Sequence, residues 1–254
     1  MLRRCSVAWG TTTMRLDLAL MQRGLCSSRQ RAKAAIEGGW VTVNGIVERK
    51  PSRTVDEKDS IVVCENDSLR YVSRGALKLL HGLDYFKIDV TGLRCLDIGA
   101  STGGFTQVLL ERGVRQVVAV DVGTAQLAQV LREDARVLSL EQTDIRTLDI
   151  SPVQFCCVDV SFISLRLVLP HVFANLENNR NAICLLKPQF EVGPQFVGKR
   201  GVVKDEKARV RALEEMKIAA EQLGFVVPGA TPSPITGGNG NVEFLLYLKK
   251  EVRP

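Results

Sequence analysis

The sequence predicts an α/β protein in which a mostly parallel sheet carries helices on both faces and follows a small α+β domain. Two observations predict the sheet: short apolar runs alternate with helical stretches from Gly92 onward, and a glycine-rich turn follows the first of those runs. A third observation predicts a separate domain at the beginning of the chain: two helix signals, a hairpin signal and an excess of basic side chains precede residue 69. We expect a small domain over residues 14–68 and a larger one over residues 69–254.

The bulk composition is that of a globular protein with an anionic partner. Hydrophobic residues make up 45% of the 254 residues and charged residues 24%, which is enough apolar material for a core. The formal net charge of +6 favours a partner such as nucleic acid, although charge alone does not identify one.

The chain has seven cysteines, an odd number, and none forms a C-x-x-C pair. Several lie in apolar runs, so we expect buried, reduced thiols in a cytoplasmic protein rather than a disulfide framework. Only two histidines occur, and there is no Cys/His cluster, which argues against a metal site.

No segment has the long apolar pattern of a membrane-spanning helix. The longest uncharged run, residues 222–242, is interrupted by prolines and glycines. Residues 1–13 hold two arginines and no acid, and they lack the apolar core of a secretory signal. We interpret them as a disordered tail, or as sequence upstream of a true start at Met14; a short organellar address is the alternative.

In the small domain, the predicted elements follow one another closely. A first helix is expected at residues 16–20 and a second, capped by Ser28, at residues 29–36. The pair Asn44–Gly45 predicts a hairpin turn between two short strands, and a last strand is expected at residues 60–63.

Basic side chains dominate residues 14–53, where eight basic residues face three acids and leave a net charge of +5. Arg29 and Lys33 are four residues apart and therefore share one helix face, which could neutralise phosphates. A merely solvated helix surface is the alternative. The candidate RNA-binding residues are Arg15, Arg23, Arg29, Arg31, Lys33, Arg49 and Lys50.

In the larger domain, a buried strand runs into a glycine-rich turn over residues 94–105, and a helix is expected at residues 106–112. Gly99 and Gly103 would let the backbone approach a ligand closely. The turn reads G-x-S-x-G-G and departs from the dinucleotide pattern G-x-G-x-x-G; taken alone, it could equally be a tight structural turn. The candidate ligand-binding residues of this turn are Asp97, Gly99, Ala100, Ser101, Thr102, Gly103, Gly104 and Phe105.

Acidic residues accompany the strands of this domain. Asp121 ends a strand 22 residues after Gly99, and an acid at about that distance suits ribose hydroxyls. Asp144, at the end of a strand predicted from residue 138, could accept a hydrogen bond from an adenine amino group. Asp97 could hold either the turn or the amino acid end of a ligand. Each acid alone is more often a cap or turn residue, so their order carries the ligand interpretation.

Four further polar residues form the candidate catalytic group. Lys78 lies on a helix predicted at residues 73–80, Asp159 and Lys187 end strands, and Glu243 opens one. Carboxyl ends of strands line the ligand crevice of an open α/β sheet. A lysine whose pKa is lowered by a second ammonium group can take a proton from a hydroxyl, and two carboxylates can orient the pair. Structural ion pairs are the alternative.

These motifs carry two resemblances. The stretch from Arg15 to Asn44–Gly45 resembles the αL motif of S4-type RNA-binding domains. The whole chain closely resembles the TlyA family of rRNA methyltransferases, which were historically labelled haemolysins and have an FtsJ-like methyltransferase domain. The matching stretches are residues 73–79, 97–105, 120–123, 159–164, 187–191, 201–203 and 237–244. Residues 141–146 depart slightly from the family's usual Arg-Thr-Asn.

The resemblance implies a Rossmann-like methyltransferase fold with S-adenosyl-L-methionine as the cofactor. It implies that the four polar residues are a Lys-Asp-Lys-Glu tetrad. The implied reaction is 2′-O-methylation of cytidine in 23S rRNA, and in some members also in 16S rRNA. The implied partner is rRNA within ribosomal subunits, with no metal and no membrane.

Three other functions compete with this one. A membrane-lytic protein, as the haemolysin label suggests, needs a membrane-active segment, and none is visible. A non-catalytic rRNA-binding or assembly factor would not need all four tetrad residues. A base methyltransferase would usually call for a nucleophilic cysteine or an amide-type pocket, which the sequence does not place.

Overall fold

A computed structural model describes residues 13–26, 28–64, 70–150 and 152–251. The tail predicted over residues 1–13 lies, apart from Thr13, outside this range. The chain divides into two compact units between Arg70 and Tyr71. Each unit has its own hydrophobic core.

The first unit is a small α+β fold. Its elements are β1 (Met14–Arg15), α1 (Leu16–Gln22), α2 (Arg29–Glu37), β2 (Val41–Val43), β3 (Ile46–Glu48), β4 (Thr54–Val55) and β5 (Ile61–Val63). Strands β3, β2 and β5 form an antiparallel sheet in that order, and β1 pairs with β4. Leu16 and Leu20 of α1, Ile36 of α2, and Val41 and Val43 of β2 are fully buried and form the centre of the core.

The local signals explain these elements. The hydroxyl of Ser28 accepts a hydrogen bond from the Arg31 backbone N–H and so caps α2, as predicted. Asn44 and Gly45 have φ values of 55° and 82° and form the hairpin turn between β2 and β3. Such turns need two successive left-handed residues, which Asn-Gly supplies at low cost.

The second unit contains the larger sheet. Its elements are α3 (Ala76–Phe86), β6 (Arg94–Ile98), α4 (Gly104–Glu111), β7 (Gln116–Val120), α5 (Gln129–Arg132), β8 (Val137–Leu140), β9 (Val153–Val158), α6 (Leu169–Asn175), β10 (Leu176–Leu186), α7 (Glu206–Leu223), β11 (Phe225–Pro232) and β12 (Phe244–Lys250). Short 3₁₀ turns cover Ile145–Thr147, Leu165–Leu167, Pro188–Phe190 and Pro194–Phe196.

Seven strands make one sheet in the order β11-β12-β10-β9-β6-β7-β8. The five strands from β10 to β8 are parallel, and β12 runs antiparallel between β10 and β11. One face packs on α3, α4 and α5, and the other packs on α6 and α7. This arrangement confirms the predicted α/β class, with helices on both faces of a mostly parallel sheet.

The central strands also carry buried thiols. Cys95 on β6, Cys156 and Cys157 on β9, and Cys184 on β10 are fully buried and free. Burial raises the pKa of each of these thiols. None of the described helices is long and apolar enough to cross a membrane.

Two predicted elements have a boundary that differs from the structure by three residues or more. Strand β8 ends at Leu140, so Asp144 does not end a strand; it begins the 3₁₀ turn at Ile145 instead. Helix α3 begins at Ala76, three residues later than predicted, and extends to Phe86. Its later start leaves Ser73, Arg74 and Gly75 in a loop above the sheet, where they line a cavity described below.

Candidate active site

Two adjoining cavities open at the carboxyl ends of the parallel strands. The first has a volume of about 480 Å³ and lies between the start of α3, the glycine-rich turn, and the ends of β9 and β10. The second, of about 420 Å³, lies beside β7 and the loop after β9. Gly99, Ser101, Asp159 and Ser161 line both cavities, so the two form one continuous crevice. This is the edge at which open α/β sheets bind ligands.

The glycine-rich turn packs tightly at the junction of these cavities. Gly99 has a φ of 81°, and a Cβ atom there would lie 2.5 Å from the backbone oxygen of Asp159. Only glycine therefore fits. Gly103, in contrast, has a φ of 97° and would meet the Leu131 side chain at 2.3 Å. Gly103 thus serves the packing of α5 and lines neither cavity, so its approach to a ligand stays a prediction.

Most of the predicted ligand-binding residues border the crevice. The first cavity is lined by Gly99, Ala100, Ser101, Thr102, Gly104 and Phe105 of the turn. Asp121 and Asp144 line the second cavity. The carboxylate of Asp121 accepts hydrogen bonds from the Ser101 and Gly123 backbone N–H groups, at 2.8 and 2.7 Å, and so joins the turn to the end of β7.

Asp97 is placed differently from the other acids. It is fully buried beneath the turn, and one carboxyl oxygen accepts a hydrogen bond of 2.6 Å from the Thr106 hydroxyl. Burial raises the pKa of Asp97 to about 7. Of its two predicted roles, holding the turn agrees with this position, because Asp97 lines neither cavity.

Asp144 is oriented by its neighbours at the rim of the second cavity. Its carboxylate pairs with Arg146 at 2.6 Å and accepts a hydrogen bond from the Arg146 backbone N–H. The Arg146 guanidinium, through hydrogen bonds and charge, lowers the pKa of Asp144 to about 2. Asp144 is therefore ionised near neutral pH and presents an acceptor.

The four candidate catalytic residues form two ion pairs. Lys78 Nζ lies 2.6 Å from Glu243 Oε2, and Lys187 Nζ lies 2.7 Å from Asp159 Oδ1. Lys78, Lys187 and Glu243 are at most 9% exposed, and both lysines line the first cavity together with Asp159. Each ammonium faces its own carboxylate, rather than all four groups sharing one cluster of contacts.

The elements explain how distant residues meet here. Lys78 lies in the first turn of α3, Asp159 and Lys187 directly follow β9 and β10, and Glu243 directly precedes β12. Because β12 is antiparallel to β10, its beginning lies beside the end of β10. The same edge of the sheet therefore collects one residue from each element.

Several residues that line the crevice or support its loops were not predicted as site residues. The Ser161 hydroxyl accepts a hydrogen bond of 2.7 Å from Lys187 Nζ, and Ser73 and Arg74 line the first cavity. Glu191 accepts hydrogen bonds from the Ser164 hydroxyl and the Leu165 backbone N–H, which fixes the loop after β9. All of them except Leu165 lie in the stretches that match the family, and that was the available signal.

In the first unit, the predicted RNA-binding residues differ in accessibility. Arg29, Lys33, Arg49 and Lys50 are exposed, although Arg29 also pairs with the buried Asp17 at 3.0 Å and Arg49 also donates to the backbone oxygen of Glu37. Arg15 is exposed and pairs with Asp17 at 2.9 Å, and Arg31 is half-buried.

Arg23 requires a correction. It is only 7% exposed and donates to the backbone oxygens of Asp56 and Asp59, both at 2.8 Å. These bonds hold the loop before β5 against the end of α1. Arg23 is therefore a structural residue of the first unit and does not present its guanidinium to an RNA phosphate.

Comparison with known families matches both units. Residues 71–250 match the FtsJ-like methyltransferase family, and residues 14–61 match the S4 domain family. The chain is 44% identical, over 93% of its length and 90% of the relative's, to the 16S/23S rRNA (cytidine-2′-O)-methyltransferase TlyA of Mycobacterium tuberculosis.

Two solved structures are similar as well. A hemolysin-named protein from Streptococcus thermophilus is 40% identical, with a TM-score of 0.75 over 96% of this chain and 91% of that one. A protein from Listeria monocytogenes described as an S-adenosylmethionine-dependent methyltransferase is 14% identical, with a TM-score of 0.55 over 70% of this chain and 99% of that one. The second likeness shows the fold alone.

Proposed function

The chain belongs to the TlyA family of FtsJ-like methyltransferases, and on that premise we propose that it transfers a methyl group to a ribose 2′-hydroxyl of rRNA. The substrate we propose is a cytidine of 23S rRNA, with 16S rRNA as a second substrate. The relative from Mycobacterium tuberculosis is named for both rRNAs. The S4-type unit would dock on folded rRNA through phosphate and 2′-hydroxyl contacts.

The crevice fits S-adenosyl-L-methionine as the cofactor. Gly99 lets the turn pack against the Asp159 backbone at the junction of the two cavities, and Asp121 offers its carboxylate to ribose hydroxyls at the end of β7. Asp144 offers a charged acceptor to the adenine amino group. When bound, this cofactor supplies an electrophilic methyl group on a sulfonium centre.

Lys187 is the residue that we assign to activating the ribose. Lys187 Nζ would accept the proton of the 2′-hydroxyl, and the bound cofactor would supply the methyl group that replaces this proton on the oxygen and leave with its sulfur as a neutral thioether. The Asp159 carboxylate, 2.7 Å from Lys187 Nζ, stabilises the ammonium group that forms. Lys78, held by Glu243, adds a second positive charge to the lining of the first cavity and orients the ribose.

The observation that carries this proposal is the pair of lysine–carboxylate contacts at the first cavity, which both lysines and Asp159 line. The test measures transfer of labelled methyl from S-adenosylmethionine to unmodified ribosomal subunits and naked rRNA. Lys187→Ala should lower kcat by at least about 100-fold, the usual contribution of a general base. Lys87→Ala, an exposed lysine after the end of α3, is the control and should retain activity.

The position of the label distinguishes the alternatives. Label in ribose that is lost in Lys187→Ala supports both the reaction and the base. Label that persists in Lys187→Ala removes Lys187 from that role. No label on either subunit or on naked rRNA would favour a non-catalytic rRNA-binding factor, and label on a nucleobase would make the chain a base methyltransferase.

A further inference from the structure

A short basic turn lies between the 3₁₀ turn at Pro194–Phe196 and α7, and hydrogen bonds connect it to a loop that lines the first cavity. The Gly198 backbone N–H donates to Val202, and the Gly201 N–H donates back to Gly198 at 2.8 Å. These bonds close a tight loop with Lys199 and Arg200 at its tip. Gly201 has a φ of 72°, which suits glycine at the end of such a turn.

Asn241 fastens this basic turn to the catalytic loop. Its side chain, only 2% exposed, donates to the Gly201 oxygen at 2.8 Å and accepts from the Val203 N–H at 2.9 Å. The Asn241 backbone oxygen accepts from the Gly237 N–H at 2.9 Å, and Gly237 lines the first cavity. Hydrogen bonds through Asn241 therefore connect the basic turn to Gly237 in the wall of the first cavity.

The same loop carries the catalytic carboxylate. Gly237 lies against Glu243, since a Cβ atom at Gly237 would come within 2.3 Å of Glu243 Oε1. Asn241 is two residues before Glu243 in the chain. A ligand held by the basic turn is thus held in a fixed position relative to the Lys78–Glu243 pair.

The charge of the basic turn is available to a partner. Lys199 and Arg200 are exposed, and within the described part of the chain neither makes an ion pair. The acids that follow, Asp205 and Glu206, lie at the beginning of α7, where Asp205 caps the helix through the Ala208 N–H. Two cations on a rigid turn next to a ribose-binding crevice suit adjacent phosphates of one polynucleotide strand.

We propose that the basic turn formed by residues 198–201 binds phosphates of the rRNA strand that enters the crevice, so that the catalytic unit has its own RNA-binding surface. The inference rests on the proposed function. Through Asn241, this surface sets the register between the phosphates and the target ribose. It acts in addition to the RNA contacts predicted for the first unit.

The test compares two doubly substituted full-length chains that lose the same charge. Lys199→Ala/Arg200→Ala removes the cations of the basic turn. Lys87→Ala/Arg115→Ala removes two exposed cations near the opposite, amino-terminal edge of the parallel strands, after α3 and before β7. Equilibrium binding of an unmodified 23S rRNA transcript is measured at several salt concentrations, and binding of S-adenosylmethionine is measured in parallel.

Loss of two phosphate contacts should reduce the slope of log K against log salt by about 1.5 in the basic-turn variant. The control variant should keep the wild-type slope, and both should bind S-adenosylmethionine normally. Equal slopes in the two variants, or a wild-type chain that binds no rRNA, would overturn the proposal. A chain that binds with the expected slopes but transfers no methyl group would refute the proposed function and leave the phosphate surface standing.

Discussion

At the scale of single residues, Ser161 helps to fix the position of Lys187 Nζ, the proposed base. Lys187 Nζ donates a hydrogen bond to the Ser161 hydroxyl and forms an ion pair with the Asp159 carboxylate, both at 2.7 Å. We predict that Ser161→Ala lowers kcat about tenfold with little change in the KM for either substrate. Lys187 would keep the Asp159 carboxylate but would no longer be oriented by the Ser161 hydroxyl. Ser161→Thr, which keeps the hydroxyl, should restore kcat in steady-state methylation assays. A wild-type kcat in Ser161→Ala would refute this role.

Asp97 makes stability depend on pH. Its folded pKa of about 7 lies above the ordinary value of 3.8, so between these values the folded state holds a proton that the unfolded state has released. The contribution of Asp97 to stability therefore falls as pH rises through this window. We predict that Asp97→Asn raises Tm by several degrees at pH 8 and much less at pH 4.5, since each pKa unit corresponds to about 1.4 kcal/mol.

Thermal melts at the two pH values measure this effect. Asp89→Asn is the control, because Asp89 is an exposed carboxyl whose pKa is lowered by hydrogen bonds from Thr91. Asp89→Asn should not show the increase in Tm at pH 8. A Tm difference for Asp97→Asn that is the same at both pH values would show that the buried carboxyl is not the titrating group.

At the scale of elements, the glycine-rich turn depends on one close approach. We predict that Gly99→Ala abolishes S-adenosylmethionine binding, because its Cβ atom would push the Asp159 backbone and open the junction of the two cavities. Gly92→Ala is a matched control: Gly92 has a similar φ of 72° but open space around it. It should cost about 1 kcal/mol of stability and leave cofactor binding intact. Calorimetric titration checks both, and wild-type affinity in Gly99→Ala would contradict the clash.

The elements also show how far the sequence could be interpreted. The spacing of apolar residues and the turn-forming residues between them predicted β2, β3, β6, β7 and β9, since apolar runs bounded by glycine are strong local signals. The end of β8 was misplaced because no glycine or proline separates Leu140 from Asp144, although Gln142 has a φ of 53° and interrupts the strand. No local signal shows that β12 enters the sheet antiparallel beside β10, and that pairing is what brings Glu243 to the cavity edge. The partners of the tetrad came from the family's motif, not from spacing.

At the scale of the whole molecule, the two proposed RNA-binding surfaces, one in each unit, should act together. Binding through one surface raises the effective concentration of the other, so losing either weakens overall affinity without touching the cofactor. We predict that Lys33→Glu/Lys50→Glu in the first unit weakens binding of 23S rRNA and leaves S-adenosylmethionine binding unchanged. Lys58→Glu, an exposed lysine of the same unit, should have a smaller effect. Filter binding checks the affinities, and unchanged rRNA binding in the double variant would refute docking by this unit.

The free thiols buried in β6, β9 and β10 are probes of local opening of the sheet. Because Cys95, Cys156, Cys157 and Cys184 lie at the centre of the sheet, an alkylating reagent can reach them only when the strands part. Their modification rate then reports how often the middle of the catalytic unit opens. A cofactor bound in the crevice should stabilise the closed sheet and slow the alkylation of all four thiols together. The alkylation rate of the half-buried Cys26 of the first unit should not change.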